Sequence, residues 1–232
     1  KNKKKRHFRF LTLHSKIAIS VTACLIVSGM IAFLLFEYNN PLTIQGYSFA
    51  EKIEASFFQS VTTRTAGFAT IPQENLTDSS AIVSLILMFI GGSPVGTAGG
   101  IKTVTFLVLV ATAISVIRNR RSANVFGRQI AEEAIRKAVG VFVMSFCVVA
   151  VSTILLSYVT NSDFMNVIYE TVSATATVGL TRNLTSTLNL WGKLIVIVTM
   201  YFGRVGILTI SLGFLMGDRA QERFRYADTL LH

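Results

Sequence analysis

The stretch TRTAGF at residues 63–68 returns as TATVGL at residues 175–180, 112 positions further along the chain. The two stretches agree at three positions, which are Thr63 with Thr175, Thr65 with Thr177, and Gly67 with Gly179. At the same spacing, MFIG at residues 88–91 matches MYFG at residues 200–203. Two separate matches with one offset indicate an internal repeat. We therefore predict that the chain contains two copies of one structural unit.

The composition excludes an ordinary soluble domain. Of the 232 residues 51% are hydrophobic and 15% are charged, whereas about a quarter of residues are charged in soluble domains. The net charge of +10 does not indicate nucleic-acid binding, because the cations lie in blocks between apolar runs and not along one face or groove. Cys24 and Cys147 lie inside apolar stretches, so neither a disulfide framework nor a zinc site is expected.

Four apolar runs are long enough to cross a bilayer, and they cover residues 16–36, 80–117, 138–158 and 188–216. Lys and Arg are concentrated between these runs at residues 1–16, 118–137 and 217–232. Such basic loops stay in the cytoplasm. We predict a multi-pass protein of the plasma membrane, in a bacterium the inner membrane, with both ends of this segment in the cytoplasm.

Each outer connection holds a further helix that is too short to cross. Residues 49–62 would span about 21 Å as a helix, against about 30 Å of hydrocarbon. Ser48 and Glu51 form a capping-box pattern at the start of this helix. A second such helix is predicted at residues 164–174. These re-entrant helices give the predicted fold class, an all-α membrane protein built from units of transmembrane helix, re-entrant pore helix with filter loop, and transmembrane helix.

The predicted organisation follows the repeat. A cytoplasmic basic segment, a first unit, a cytoplasmic linker, a second unit and a cytoplasmic tail are expected at residues 1–15, 16–118, 119–137, 138–216 and 217–232.

The Thr-x-Thr-x-Gly segments are candidate cation ligands. A helix that enters from outside and ends at mid-membrane turns the negative end of its dipole toward the bilayer centre. Extended backbone at that depth lines a watery cavity or is buried in protein, and rings of its carbonyls replace the hydration shell of K⁺, as in the TVGYG loop of potassium channels. The candidate filter residues are Thr65, Ala66, Gly67, Phe68, Thr177, Val178, Gly179 and Leu180. The alternative is a plain turn between helices.

The run GGSPVGTAGGIK at residues 91–102 interrupts the second apolar run. Its glycines and proline would unwind a helix and free backbone carbonyls. We interpret the run as a gate beneath the filter, formed by Gly91, Gly92, Ser93, Pro94, Val95, Gly96, Thr97, Ala98, Gly99, Gly100 and Lys102. One alternative is a flexible hinge. Another is a nucleotide-binding loop, but Ile101 separates Gly100 from Lys102 and the required strand is replaced by an apolar helix.

Arg204 lies in the middle of the fourth apolar run. An arginine at that depth costs at least roughly 2.5 to 3.5 kcal/mol, so it is expected to face the protein interior with a partner. At the offset of 112 it aligns with Gly92, which places the guanidinium at the level of the glycine-rich run and its freed carbonyls. The charge would raise the barrier to cations just inside the filter. A purely structural staple is the alternative, and both roles remain open.

The sequence resembles the Trk/Ktr/HKT potassium transporter superfamily, most of all the last two units of a KtrB-type subunit. The resemblance rests on SVTTRTAGF at residues 60–68, ATATVGL at residues 174–180, the glycine-rich run after MFI, and MYFGRVG around Arg204. It implies four units fused around a pseudo-fourfold ion pore, a gating loop that Arg204 faces, and a homodimer with one pore per protomer. It also implies symport with Na⁺ dependence and a cytoplasmic KtrA-like ring of nucleotide-binding regulatory subunits.

From the residues and the resemblance together we predict potassium uptake through a carbonyl-lined pore in the lipid bilayer. No enzymatic activity and no covalently bound cofactor are expected, and K⁺ is the transported ion. Because two filter segments cannot encircle an ion, two further units must come from the same native chain or from another chain. A non-conducting anchoring subunit and a nucleotide-hydrolysing membrane component are the alternative functions.

Overall fold

The structure is a computed structural model that describes residues 12–92, 99–120 and 122–206. The first unit holds helices α1 (Leu13–Glu37), α2 (Phe49–Thr62), α3 (Asp78–Phe89) and α4 (Thr103–Ile117). The second unit holds α5 (Glu132–Val159), α6 (Phe164–Thr175), the short α7 (Leu184–Thr187) and α8 (Leu190–Tyr201). A 3₁₀ turn at Gln73–Asn75 follows the first filter segment, and a π-helical turn at Phe202–Gly206 continues α8.

The two units have the same order of elements: a long helix, a short pore helix, a filter segment and a returning helix. The long helices α1 and α5 are apolar and long enough to cross a membrane, over Ser15–Glu37 and Glu132–Val159. Many of their large apolar side chains are exposed, for example Leu35 at 69% and Ile154 at 68%. A lipid environment accounts for these exposed side chains, because proteins in water rarely expose so large an apolar surface.

The returning helix of the first unit is broken into α3 and α4. The Ile101 N–H donates to the carbonyl of Phe89 at 3.0 Å, and the Thr103 N–H donates to the carbonyl of Gly92 at 3.3 Å. Gly100 has a φ of +67°, which lets the chain turn back at this point. The end of the glycine-rich run therefore lies against the end of α3, whereas its residues 93–98 are outside the described residues.

The first pore helix, α2, begins with a capping box. The Ser48 N–H donates to the Glu51 carboxylate at 2.7 Å, and the Glu51 N–H donates to the Ser48 hydroxyl. The donated backbone hydrogen bond holds the pKa of Glu51 below its usual value because it favours the charged carboxylate. Both groups satisfy N–H donors that a helix start leaves free.

Hydroxyl groups fasten the pore helices to the long helices. In the first unit, Ser60 on α2 donates to the carbonyl of Ile26 on α1 at 2.8 Å. A Cβ on Gly29 would lie 2.4 Å from the Ser60 Oγ, so this close approach needs glycine. In the second unit, the hydroxyls of Thr153 on α5 and Thr171 on α6 are 2.8 Å apart. Such satisfied hydroxyls allow close helix packing within a bilayer.

The two units share one hydrophobic core. Its buried members come from α3, α5, α6 and the second filter segment, namely Ala81, Met88, Val149, Tyr169, Val172, Ala176, Val178 and Leu180. Val178 and Leu180 are 5% and 3% exposed. Because these two filter side chains point into the core, the backbone of the segment forms its other surface.

Two further contacts position the loops. The fully buried carboxylate of Glu37 accepts from the N–H of Thr77 at 2.9 Å and from its hydroxyl at 2.8 Å, which fixes the start of α3 to the end of α1. Between the units, a small hairpin pairs Asn124–Val125 with Arg128–Gln129. The hydroxyl of Ser115 holds its base by donating to the Ser122 carbonyl.

Candidate functional site

The two repeated Thr-x-Thr-x-Gly segments, at residues 63–68 and 175–180, lie against each other. A Cβ on Gly67 would lie 2.2 Å from the carbonyl oxygen of Val178, and a Cβ on Gly179 would lie 3.9 Å from the Cα of Gly67. Each segment begins where a pore helix ends, at Thr62 in α2 and at Thr175 in α6. The fold thus joins segments that are 112 residues apart at the negative ends of two helices.

Both segments have the same unusual backbone conformation. Thr65 and Thr177 have φ of +69° and +51°, and Gly67 and Gly179 have φ of +77° and +95°. Ala66 and Val178, which lie between them, have no positive φ. A left-handed threonine is a genuine outlier because its branched Cβ collides with the backbone. Such alternation of positive and negative φ allows successive carbonyl oxygens to turn to the same side of the chain.

The hydrogen bonds of the segments leave these carbonyls free. The N–H groups of Ala66 and Gly67 donate to the Thr62 carbonyl at 3.1 and 3.2 Å, and the Val178 N–H donates to the Ser173 carbonyl at 2.9 Å. Within residues 12–92, 99–120 and 122–206, the carbonyl oxygens of residues 65–67 and 177–179 accept no hydrogen bond. Unpaired carbonyls at the negative end of a helix attract a cation.

A buried hydroxyl lies at the inner end of the second segment. Thr177 Oγ1 is buried and has no hydrogen-bond partner among the described residues. A Cβ on Gly99 would lie 2.3 Å from this oxygen and 2.2 Å from the Ala176 carbonyl. The described end of the glycine-rich run therefore lies directly beneath the second filter segment. An unpaired buried hydroxyl costs about 1–3 kcal/mol, which a cation ligand would offset.

The first filter segment is fastened to its own pore helix by neutral groups. The Thr62 hydroxyl donates to the carbonyl of Phe68 at 2.6 Å and accepts from its N–H at 2.8 Å. Beyond the filter, the amides of Gln59 and Gln73 exchange two hydrogen bonds of 2.7 and 3.1 Å. Both glutamines are buried, so the pair is shielded from competition by water.

The second filter segment is held by hydrogen bonds to a carboxylate on its own pore helix. Glu170 on α6 is 5% exposed, and its carboxylate accepts from the hydroxyls of Thr181, at 2.6 Å, and Thr185. Thr185 aligns with Gln73 in the repeat. Hydrogen bonds to a carboxylate are stronger than neutral ones. Glu170 aligns with Phe58 and not with Gln59, so the two units hold the chain after the filter with different residues and different chemistry.

Tyr169 on α6 links the second pore helix to the Gln59–Gln73 pair of the first unit. Its hydroxyl donates to Gln73 Oε1 at 2.9 Å, and its side chain is fully buried. One network thus connects the first pore helix, the segment after the first filter and the second pore helix.

A cavity of about 740 Å³ lies beside the second filter segment. Its lining includes Thr177, Gly179, Glu170 and Arg204. Arg204 is exposed and lies close enough to Lys102 for the two positive charges to repel each other. A hydrogen bond from Arg204 to the freed carbonyls of the glycine-rich run stays a prediction.

Arg64 lies in the outer connection between the first two apolar runs, and the sequence alone does not single it out as a site residue. Its guanidinium donates to the carbonyl of Thr22 on α1 at 3.3 Å and to the carbonyl of Gly91 at 3.2 Å. A signal was present, because Arg64 interrupts a filter motif whose second copy has Ala176 at the same place.

Of the predicted gate residues, Gly91, Gly92, Gly99, Gly100, Lys102 and Arg204 are described, whereas Ser93, Pro94, Val95, Gly96, Thr97 and Ala98 lie outside the described residues. The described parts of the chain contain no cluster of His, Cys, Asp or Glu that could hold a metal ion. Backbone carbonyls and hydroxyls are therefore the cation ligands that these parts offer.

The sequence of this chain matches the family model described as "TrkH: Cation transport protein" over residues 2–222. The chain belongs to the TrkH cation transport family. It is 39% identical over 223 residues to the potassium/sodium uptake protein NtpJ of Enterococcus hirae, covering 94% of this chain and 49% of NtpJ. It is 36% identical over 225 residues to the Ktr system potassium uptake protein B of Bacillus subtilis, covering 97% of this chain and 50% of that protein.

The fold also matches a solved structure of the family. The potassium transporter TrkH from Vibrio parahaemolyticus superimposes with a TM-score of 0.65 at 20% identity, over 86% of this chain and 43% of TrkH. The resemblance found in the sequence and the predicted fold class, an all-α membrane protein with pore-loop units, are confirmed. The chain spans about half the length of the relatives that it matches.

Proposed function

We propose that this chain forms two of the four quadrants of a potassium uptake pore, with one filter segment in each quadrant. The observation that carries this proposal is the pair of filter segments with alternating left-handed residues, whose N–H groups bond to the pore helices and whose carbonyls stay unpaired. Carbonyls held in this way can replace the water around a dehydrated K⁺.

In this pore, the carbonyls of Thr65, Ala66, Gly67 and Phe68 in one quadrant and of Thr177, Val178, Gly179 and Leu180 in the other face the ion path. Phe68 contributes least, because its carbonyl already accepts from the Thr62 hydroxyl. The buried hydroxyl of Thr177 adds an oxygen at the inner end. The negative ends of α2 and α6 stabilise the dehydrated ion between them.

The glycine-rich run serves as the gate. Support comes from Gly99, which packs directly beneath the second filter segment, and from the hydrogen bonds that hold both described ends of the run at the end of α3. Arg204 and Lys102 place two positive charges at this level. A cation that leaves the filter must pass these charges, so movement of the run sets the flux.

The remaining parts of the transporter follow from the relatives. They are about twice as long as this chain, so two further units of the same native chain would complete the pore. The name of the potassium/sodium uptake protein supports Na⁺-dependent uptake, and the name of the Ktr system protein supports partner subunits. We propose a homodimer and a cytoplasmic ring of nucleotide-binding regulatory subunits on the family resemblance found in the sequence. The basic linker faces these subunits in the cytoplasm.

The proposal is tested by expressing the complete transporter in a host that lacks its own potassium uptake systems. We expect growth at low external K⁺ and saturable K⁺ uptake. Gly46→Ala serves as the control for glycine substitutions in the filter segments, because a Cβ on Gly46 meets no atom within 4 Å. A transporter that reaches the membrane in normal amounts and carries no K⁺ would contradict the proposal and favour a non-conducting anchoring subunit.

A further inference from the structure

Arg64 is a half-buried cation at the level of the first filter segment, with no acidic partner among the described residues. It follows the first pore helix by two residues, and none of the ion pairs among the described residues includes it. Its Nε is buried without a hydrogen-bond partner. A charge at this depth is expensive to keep and marks a functional position.

Backbone dipoles take the place of the missing carboxylate. Gly91, whose carbonyl accepts from Arg64, lies just beyond the end of α3 at Phe89. Arg64 itself lies just beyond the end of α2 at Thr62. The guanidinium is therefore at the negative ends of two helices, where a cation is stabilised.

The two hydrogen bonds of the guanidinium join three parts of the pore. Its own backbone belongs to the first filter segment, one donor reaches Thr22 in the middle of α1, and the other reaches Gly91 at the first residue of the glycine-rich run. Only a rigid fork with several donors can make both bonds from one side chain, and lysine cannot reproduce it.

We propose that Arg64 is a positioning residue that couples the first filter segment to the first residue of the glycine-rich run. This inference rests on the proposed function. Arg64 holds Gly91, at the start of the run, in a fixed position relative to the first filter segment. A displacement of the run therefore also displaces the filter segment. The second unit has Ala176 at this position and its arginine at the place of Gly92, so the coupling belongs to the first unit alone.

The test combines Arg64→Gln with deletion of residues 93–98 in the complete transporter. In the intact background, Arg64→Gln frees the start of the run and loosens the filter, so we expect higher K⁺ flux per transporter, by about fivefold or more, and weaker discrimination against Na⁺. In the deletion background, the flux effect disappears because the middle of the run is absent and can no longer obstruct the path, whereas the loss of discrimination remains.

Lys52→Gln is the matched control. Lys52 lies on the same pore helix and donates to the Tyr38 carbonyl at 2.9 Å, so it also ties α2 to the end of α1. It has no contact with the glycine-rich run among the described residues. We expect Lys52→Gln to change the flux by the same factor in both backgrounds.

Two results would overturn the coupling: equal flux changes for Arg64→Gln in both backgrounds, or no change in the intact one. If Arg64→Gln does not reach the membrane, the same measurements in both backgrounds are made with Arg64→Lys. This variant keeps the positive charge and loses the planar guanidinium with its several donors. A purely structural role would reduce the amount of transporter and leave flux per transporter unchanged. Failure of the proposed function differs from all of these, because the unchanged transporter would then carry no K⁺.

Discussion

At the scale of single residues, both candidate filter segments contain a threonine with a strained backbone. Thr65 and Thr177 occupy the left-handed region, and such conformations cost about 1–3 kcal/mol each and persist where the surrounding structure enforces them. The enforcement is visible in the hydrogen bonds from residues 66, 67 and 178 to the ends of the pore helices. The threonines thus hold a conformation that, in the proposed pore, would turn their carbonyls toward the ion path.

The glycines of the two filters differ in what an added side chain would meet. A Cβ on Gly67 would collide with the Val178 carbonyl at 2.2 Å, whereas a Cβ on Gly179 would only touch the Cα of Gly67 at 3.9 Å. Both have positive φ, so both substitutions carry conformational strain of about 1 kcal/mol or more.

We therefore expect Gly67→Ala to reduce the preference for K⁺ over Na⁺ more than Gly179→Ala does, since it alone also displaces the opposite filter segment. Competition of Na⁺ with K⁺ uptake measures this preference, with the amount of each variant in the membrane as a control. Equal effects of the two substitutions would contradict the described contact between the segments.

At the scale of elements, each pore helix holds the chain that follows its filter. The first unit uses the Gln59–Gln73 amide pair, and the second uses Glu170 with two threonine hydroxyls. Tyr169 joins the second pore helix to the amide pair of the first unit. Gln59, Gln73, Tyr169 and Glu170 are all buried, so the hydrogen bonds between Gln59, Gln73 and Tyr169 tie the two pore helices together away from water.

Replacement of Tyr169 by Phe tests this link between the units. It removes one buried hydrogen bond and leaves Gln73 Oε1 with Gln59 alone, so we expect a loss of about 1 kcal/mol in the free energy of unfolding. Thermal unfolding of the purified transporter in detergent measures the change. Tyr201→Phe is the control, since Tyr201 is 64% exposed.

Gln59→Leu complements this substitution, because it removes both hydrogen bonds between Gln59 and Gln73 and leaves Gln73 with only Tyr169 and the Ile71 carbonyl. We expect it to lower the free energy of unfolding by about 1–3 kcal/mol. The effects of Tyr169→Phe and Gln59→Leu should not add, since both act on Gln73. A Tyr169→Phe variant as stable as Tyr201→Phe would show that the hydroxyl does not link the units.

At the scale of the whole molecule, the basic blocks predict which ends of the helices face the cytoplasm. The hairpin at Asn124–Val125 and Arg128–Gln129 lies in one such block, and the loop after the second filter is predicted to lie on the opposite side of the membrane. Asn124 and Ser186 are exposed at these two places, which makes them suitable for labelling.

We expect a membrane-impermeant thiol reagent applied outside intact cells to label Ser186→Cys and not Asn124→Cys. Cys24 and Cys147, both exposed, are replaced by serine beforehand. Permeabilised cells should allow labelling of both variants. Labelling of Asn124→Cys in intact cells would reverse the predicted orientation.

Much of the architecture follows from the one-dimensional pattern. Apolar length, the short amphipathic helices and the repeated Thr-x-Thr-x-Gly motif are local properties, so they predict the fold class and the candidate filter. Arg64 shows where this reasoning ends. In the sequence it is one residue of an outer connection between two apolar runs. Only the fold brings the ends of α2 and α3 together around its guanidinium.

The sequence by itself determined the repeat, the apolar helices and the residues able to present carbonyls, because bilayer thickness and the absence of a Cβ act on local stretches. Tertiary structure decided that Gly67 meets Val178, that Gly99 lies beneath Thr177 and that Tyr169 reaches Gln73. These contacts join residues far apart in the chain. Their geometry depends on how two helical units pack in three dimensions, which local periodicity does not encode.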